Sequence, residues 1–156
     1  MTDPYQTPSP RSKVTLREIT ADTVRVICSL SVREEQRKFV APNAVSIAQA
    51  YFSKHAWFRA IYADETPVGF LMLEDQSEKP EYYLWRFMID ARYQGMGFGC
   101  RALKLLIEHV RARPNATELL TSVHQAEGGP EGFYERMGFE LTGEWEESEA
   151  MMRLRL

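Results

Sequence analysis

Apolar and polar positions recur with strand or helix period along most of the chain, and their order predicts the elements. Val14, Leu16 and Ile19 predict a first strand over Val14–Ile19. Val24, Ile27 and Cys28 form the inward face of a helix over Ala21–Leu30. The charged stretch Ser31–Asn43 ends in a Pro-Asn turn, and Ser46 with Gln49 reads as a capping box opening a helix over Ile47–Lys54. Two apolar runs, Trp57–Ala63 and Val68–Glu74, flank Asp64, Glu65, Thr66 and Pro67 and pair as a hairpin. Tyr82–Ile89 is apolar and aromatic with few breaks, as expected of a central strand covered on both faces. From Cys100 the apolar positions fall at Leu103, Leu106, Ile107 and Val110, a helical spacing that Pro114 and Asn115 end. Glu118–Val123 is a further buried strand. After the glycine-rich loop Gln125–Pro130 a short helix opens at Pro130, runs to Met137 and stops at Gly138. The closing strands are Phe139–Trp145 and Met151–Leu156, around the acidic turn Glu146–Glu149.

Composition narrows the class. A chain of 156 residues with 44% hydrophobic content has enough apolar surface for one core, so residues 14–156 read as a single domain. Met1–Lys13, with Pro4, Pro8 and Pro10, reads as a flexible tail. A net charge of −3 argues against a nucleic-acid surface. The absence of a membrane-length apolar run or a leader predicts a cytoplasmic protein with no membrane partner. Cys28 and Cys100 lie far apart within apolar helical patterns and read as small core or near-core residues.

Between the central strand and the long helix stand Gln94, Gly95, Met96, Gly97, Phe98 and Gly99. The first turn of a helix carries unpartnered N–H groups and a partial positive charge, and residues without a Cβ let an anion approach them. The competing explanation is a turn that needs positive φ. The spacing lacks the third glycine of a dinucleotide site, because Cys100 occupies that place, and it lacks the Lys-Ser/Thr ending of a P-loop. Gln94-x-x-Gly97-x-Gly99 instead resembles the Gln/Arg-x-x-Gly-x-Gly/Ala signature of the GNAT acetyltransferases. Phe133-Tyr134-Glu135-Arg136-Met137-Gly138-Phe139 is similar to that superfamily's Tyr-Glu-Lys-x-Gly-Phe segment.

The resemblance spans Val14–Leu156. It implies an α/β (α+β) GNAT fold: a mixed, mostly antiparallel sheet, splayed in the middle between the strands ending at Ile89 and Val123, with helices on both faces. It implies acetyl-CoA as co-substrate, without a metal. The diphosphate would lie on Gln94, Gly95, Met96, Gly97, Phe98, Gly99 and Cys100, and the pantetheine arm along Phe87, Met88 and Ile89. Arg92 and Arg136 would meet the phosphates. Tyr134 would protonate the leaving sulfur, and the main-chain N–H of Met88, on a bulge expected over Phe87–Ile89, would hold the oxyanion. Transfer would run directly in a ternary complex.

Glu34-Glu35-Gln36 with Phe39–Asn43, Leu84–Asp90 and Glu127–Tyr134 looks like the bacterial diamine and spermine/spermidine acetyltransferase branch. That implies a small primary amine, a polyamine or diamine, as acceptor, with Glu34, Glu35 and Trp85 on the acceptor side. Clustered carboxylates there would attract a polycation; an ordinary solvated acidic face is the alternative. The sequence departs from the branch where Trp85 and Arg86 replace an expected acidic residue, so the base stays open among Glu34, Glu35, Glu74, Glu81 and His124. Two other readings stay open: a non-catalytic acyl-CoA-binding module, or an N-acetyltransferase for a protein N-terminus, an amino acid or a drug amine. In this superfamily exposed closing strands often pair into dimers, so the resemblance implies that a homodimer can form.

Overall fold

The computed structural model describes residues 7–156. Seven strands form one sheet in the order β1-β2-β3-β4-β5-β7-β6. They are β1 Val14–Arg17, β2 Ala56–Ala63, β3 Thr66–Gln76, β4 Glu81–Ile89, β5 Glu118–Val123, β6 Glu140–Glu146 and β7 Glu149–Arg155. The helices are α1 Val24–Ser29, α2 Asn43–Tyr51, α3 Phe98–Arg111 and α4 Glu131–Arg136. Every neighbouring pair of strands is antiparallel except β4 and β5.

Helices cover both faces because the central strands are apolar on both sides. One face carries Leu71, Leu73, Leu84, Leu119 and Met152 under α3 and α4. On the other, Ala60, Phe70, Met72 and Met88 pack beneath Ile27, Leu30 and Ala50 of the α1–α2 region. The stripe of α3 enters the first cluster through Phe98, Leu103, Leu106 and Val110, none more than 1% exposed. Each such burial stabilises by about 1.5–3 kcal/mol, so Leu106→Ala would cost about 2–5 kcal/mol once the cavity is counted.

Several boundaries move. The helix expected from Ile47 starts at Asn43, with Pro42 at its N-cap. Ser46 therefore lies inside the helix, fully buried, and its hydroxyl turns back to the Pro42 carbonyl rather than capping. Asn43 is held by a bond from its Nδ2 to the Ile27 carbonyl at 2.9 Å, a contact between helices that local sequence does not reveal. The first helix is shorter than expected, and within the charged stretch Glu34–Phe39 winds into a 3-10 turn. Residues 1–6 of the expected tail lie outside the described residues. The tail does not extend to Lys13: Ser12 is buried and its carbonyl accepts from Arg101 Nη1 at 2.7 Å, while the Lys13 N–H donates to Asp64 Oδ1 and the Lys13 carbonyl accepts from the Asp64 N–H.

Candidate active site

The strand β4 touches β5 at only two register positions, Tyr83↔Leu120 and Leu84↔Thr121. Beyond them the strands diverge and leave a wedge. Side chains latch its closed end on both faces. Thr121 Oγ1 donates to the Leu84 carbonyl at 3.0 Å on the α3/α4 side, and the Tyr83 and Ser122 hydroxyls bond each other on the opposite side. The wedge opens into a cleft of about 1200 Å³.

One end of the cleft is the turn before α3. Gly95 and Gly97 have φ of 82° and 83°, so positive φ is required at both, and Gly97 is the N-cap of α3. Gly99 has ordinary φ, and a Cβ there would only touch Ile89, Phe87 and Phe133 at 3.6–3.7 Å. The turn thus joins both explanations for the glycines: a left-handed backbone, and a helix N-terminus whose first N–H groups face the cleft without intrahelical partners. Gln94 Nε2 closes the corner, donating to the Ile89 carbonyl at 2.9 Å and to Gln36 Oε1 at 2.8 Å. Through that bond the segment bearing Gln36, Arg37, Lys38 and Phe39 folds along the cleft wall.

Strand alternation decides which β4 amides face the wedge. The Asp90 N–H donates to the Val68 carbonyl at 2.8 Å, so Met88, two residues earlier and paired with Phe70, directs its amide to β3 as well. Phe87 and Ile89 direct theirs into the wedge. The expectation for Met88 is corrected: its N–H belongs to the sheet, and its side chain is buried against Asn43 and Phe70. The bulge is corrected too. Met72 pairs with Arg86 and Leu73 with Leu84, so the extra residue is Trp85, not one of Phe87–Ile89.

Tyr134 of α4 is 6% exposed and reaches the cleft between Phe133 and Phe139. Burial pushes its phenol far above the ordinary tyrosine value, and the Thr121 hydroxyl opposes that rise. It is therefore a neutral donor throughout the working pH range. Phe133 stacks on Phe87 at 5.8 Å and fixes α4 against β4.

The opposite end brings together Tyr83, Ser122 and Glu149, to which the sequence assigned no role. Ser122 Oγ donates to Glu149 Oε2 at 2.5 Å and bonds the Tyr83 hydroxyl. Burial raises the Tyr83 phenol, and the charges of Glu146 and Glu149 add to that, while Ser122 and Arg86 oppose it. Arg86 is half-buried, donating to the Trp85 carbonyl and to Gln49 Oε1, and burial pulls its guanidinium below the usual value. Glu74, Glu146, Glu147 and Glu149 line this end. The acidic turn was legible in the sequence, but nothing local places it beside β4, because β7 reaches it only by pairing with β5.

Other expected positions fall outside. Glu34 and Glu35 do not line the cleft; Glu34 is exposed and pairs with Arg37 at 3.2 Å on its own turn. Arg92 lies off the cleft lining, bonded to Asp90 at 2.8 Å and set over the Tyr93 ring. Met96 is absent from the lining, as are Glu81 and His124. Trp85, Cys100 and Arg136 do line it. Among the described residues no group of three or more His, Cys, Asp or Glu is placed to hold a metal ion, and no helix is long and apolar enough to cross a membrane.

Comparison with known proteins shows the family and the fold. The family model described as Acetyltransferase (GNAT) family matches residues 24–139. A spermine/spermidine N(1)-acetyltransferase of Bacillus subtilis is 26% identical over 137 residues, covering 84% of this chain and 90% of that one. A peptidyl-lysine N-acetyltransferase, YjaB of Escherichia coli, is 33% identical over 84 residues, covering 54% of this chain and 49% of its own length. Among solved structures, PaiA N-acetyltransferase of Thermoplasma acidophilum in complex with coenzyme A superposes with a TM-score of 0.70 at 15% identity, covering 92% of this chain and 99% of that one.

Proposed function

The chain belongs to the GNAT family of acetyltransferases, and from that premise we propose that it moves the acetyl group of acetyl-CoA to a primary amine of a small polyamine or diamine, in one ternary complex. The observation that carries the reading is the wedge between β4 and β5, with the N-terminus of α3 at its mouth and Tyr134 inside it.

In this reading the diphosphate lies on the amides of Gly97–Cys100, where a helix terminus favours an anion, and Arg37, Lys38 and Arg136 supply cations along the same cleft. The pantetheine arm pairs with the wedge-facing edge of β4 as an added strand would. The Phe87 N–H, the wedge-facing amide nearest the bulge, takes the oxyanion role in place of Met88. Tyr134 donates to the departing sulfur. Burial of that sulfur raises its own proton affinity, which narrows the gap to the phenol.

A polyamine acceptor is supported by the Bacillus subtilis relative and by the carboxylates lining the far end of the cleft. An alkyl ammonium has a pKa of about 10.4, so at pH 7 roughly 4–5 kcal/mol separates it from the nucleophilic amine. The enzyme reading includes action in the cytoplasm. A homodimer through the edge strand β6, which exposes Leu141 and Trp145, completes it, and sedimentation of Trp145→Glu against the unaltered chain tests that part.

The deciding experiment incubates the protein and acetyl-CoA with diamines, polyamines, amino acids and a lysine peptide, and reads the products by mass spectrometry. Acetylated diamine or polyamine is the expected result. Acetylation confined to amino acids or peptide would reassign the acceptor, and no product with any amine would overturn the reading.

A further inference from the structure

We infer that Tyr83, Ser122 and Glu149 form a proton relay that serves as the base of the reaction, with the Tyr83 hydroxyl touching the acceptor amine and Glu149 as the final proton holder. The inference rests on the acetyltransferase reading of the cleft and supplies the group that β4 lacks where Trp85 and Arg86 stand.

The polarity of the chain follows from counting protons. A serine hydroxyl has one proton, and that of Ser122 is committed to Glu149 Oε2 at 2.5 Å. In the bond between Tyr83 and Ser122 the phenol must then be the donor. The Tyr83 oxygen keeps its lone pairs for a donor in the cleft. Every hydrogen bond in the chain points from the cleft toward the carboxylate, the direction in which an amine proton has to leave.

Position supports the assignment. Tyr83 and Ser122 sit at the closed end of the wedge, on the face opposite Tyr134 and Thr121. Donor and acceptor sides of the reaction thus meet from the two faces of one sheet. Tyr83, Ser122, Glu149 and Tyr134 all line the same cleft. The other charged groups facing the chain are Arg86 from β4 and Glu146 from the end of β6.

The step balances. As the amine nitrogen bonds to the thioester carbon, the carbonyl π pair moves to oxygen and the nitrogen's proton becomes acidic. That N–H breaks as the proton passes to the Tyr83 oxygen. The Tyr83 proton passes to Ser122, and the Ser122 proton to Glu149, which becomes neutral. Collapse then breaks the C–S bond, and sulfur takes its electron pair and the Tyr134 proton. Solvent returns the proton from Glu149 to Tyr134.

The test compares Glu149→Gln, Ser122→Ala and Tyr83→Phe with the unaltered enzyme, using an alkyl diamine and a fluorinated alkyl amine of much lower basicity. Removing a base is worth about 10²-fold or more. That loss is expected in kcat for the diamine, is expected to shrink strongly for the weakly basic amine, and is expected not to deepen when two of the changes are combined. Protection by CoA in a thermal melt should persist in all three. Losses equal for both amines would mark a structural role and overturn the relay. Active enzyme with full rates in Glu149→Gln and Ser122→Ala would overturn it as well, leaving the acetyltransferase reading intact. An unaltered enzyme that acetylates no amine overturns that reading and the relay with it. If Glu149→Gln fails to fold, Ser122→Ala, which deletes one oxygen, decides alone.

Discussion

On the α3 side the cleft lining comes from one short stretch of chain, Gln94, Gly95 and Gly97–Cys100, whereas on the far side it is assembled from side chains of β3, β4, β5, β6 and β7. The first end is main-chain amides and needs only residues whose backbone can adopt the turn. The second is side-chain hydroxyls and carboxylates and needs the whole sheet in register. A contiguous backbone site suits a cofactor that never changes, since almost any side-chain substitution leaves its donors in place. A site assembled across strands suits an acceptor that differs among relatives, because each contributing residue can change without disturbing the turn.

Substitutions on the two sides should separate into different kinetic parameters. The largest effect belongs to Tyr134, which lies where the two ends meet: Tyr134→Phe should lower kcat by about 10²–10⁴-fold with little change in KM for acetyl-CoA. A rise in that KM instead would move Tyr134 from chemistry to CoA binding. Next comes Gly97→Val. A β-branched residue at φ 83° carries about 1–3 kcal/mol of strain, and thermal protection by CoA should weaken by a comparable free energy while amine affinity stays unchanged. Unaltered protection would show that the α3 turn is not the diphosphate site.

A smaller effect is expected at the seam between the halves. Asp90 is 4% exposed and accepts from the Ser31 and Arg92 amides and from Arg92 Nε. Burial works to raise its pKa, but these donors together outweigh burial and hold the carboxyl below the ordinary value. A depressed carboxylate stabilises the fold above its unfolded pKa of about 3.9 and loses that contribution as pH falls through the folded value. Asp90→Asn should cost about 1–3 kcal/mol at neutral pH and flatten the decline in stability below about pH 4, both readable in urea melts. Smallest is the Glu34→Gln, Glu35→Gln pair. Those carboxylates are exposed and off the cleft, so kcat/KM for a polyamine should change by no more than about 1 kcal/mol. A larger drop would return the 3-10 turn to the acceptor site.

How much was legible in the sequence divides along the same line. The period of Leu103, Leu106 and Val110 located α3, and the glycine spacing before it located the turn, because both are properties of neighbours along the chain. The order of the elements was likewise readable from alternation and punctuation. Helix starts were less so: Ser46 looked like a cap, but Pro42 and the bond from Asn43 to Ile27 set the start of α2 from outside the local pattern.

What tertiary structure alone decided is register and convergence. A bulge at Trp85 and alternation counted back from Asp90 turned the Met88 amide into the sheet and the Phe87 amide into the wedge, a choice that one residue of slip would reverse. Pairing of β5 with β7 carried Glu149 to Ser122, and the brief contact of β4 with β5 carried Ser122 to Tyr83. Local sequence determines what a stretch of backbone can do, but side chains from separate strands meet only where the hydrogen-bond ladder brings them.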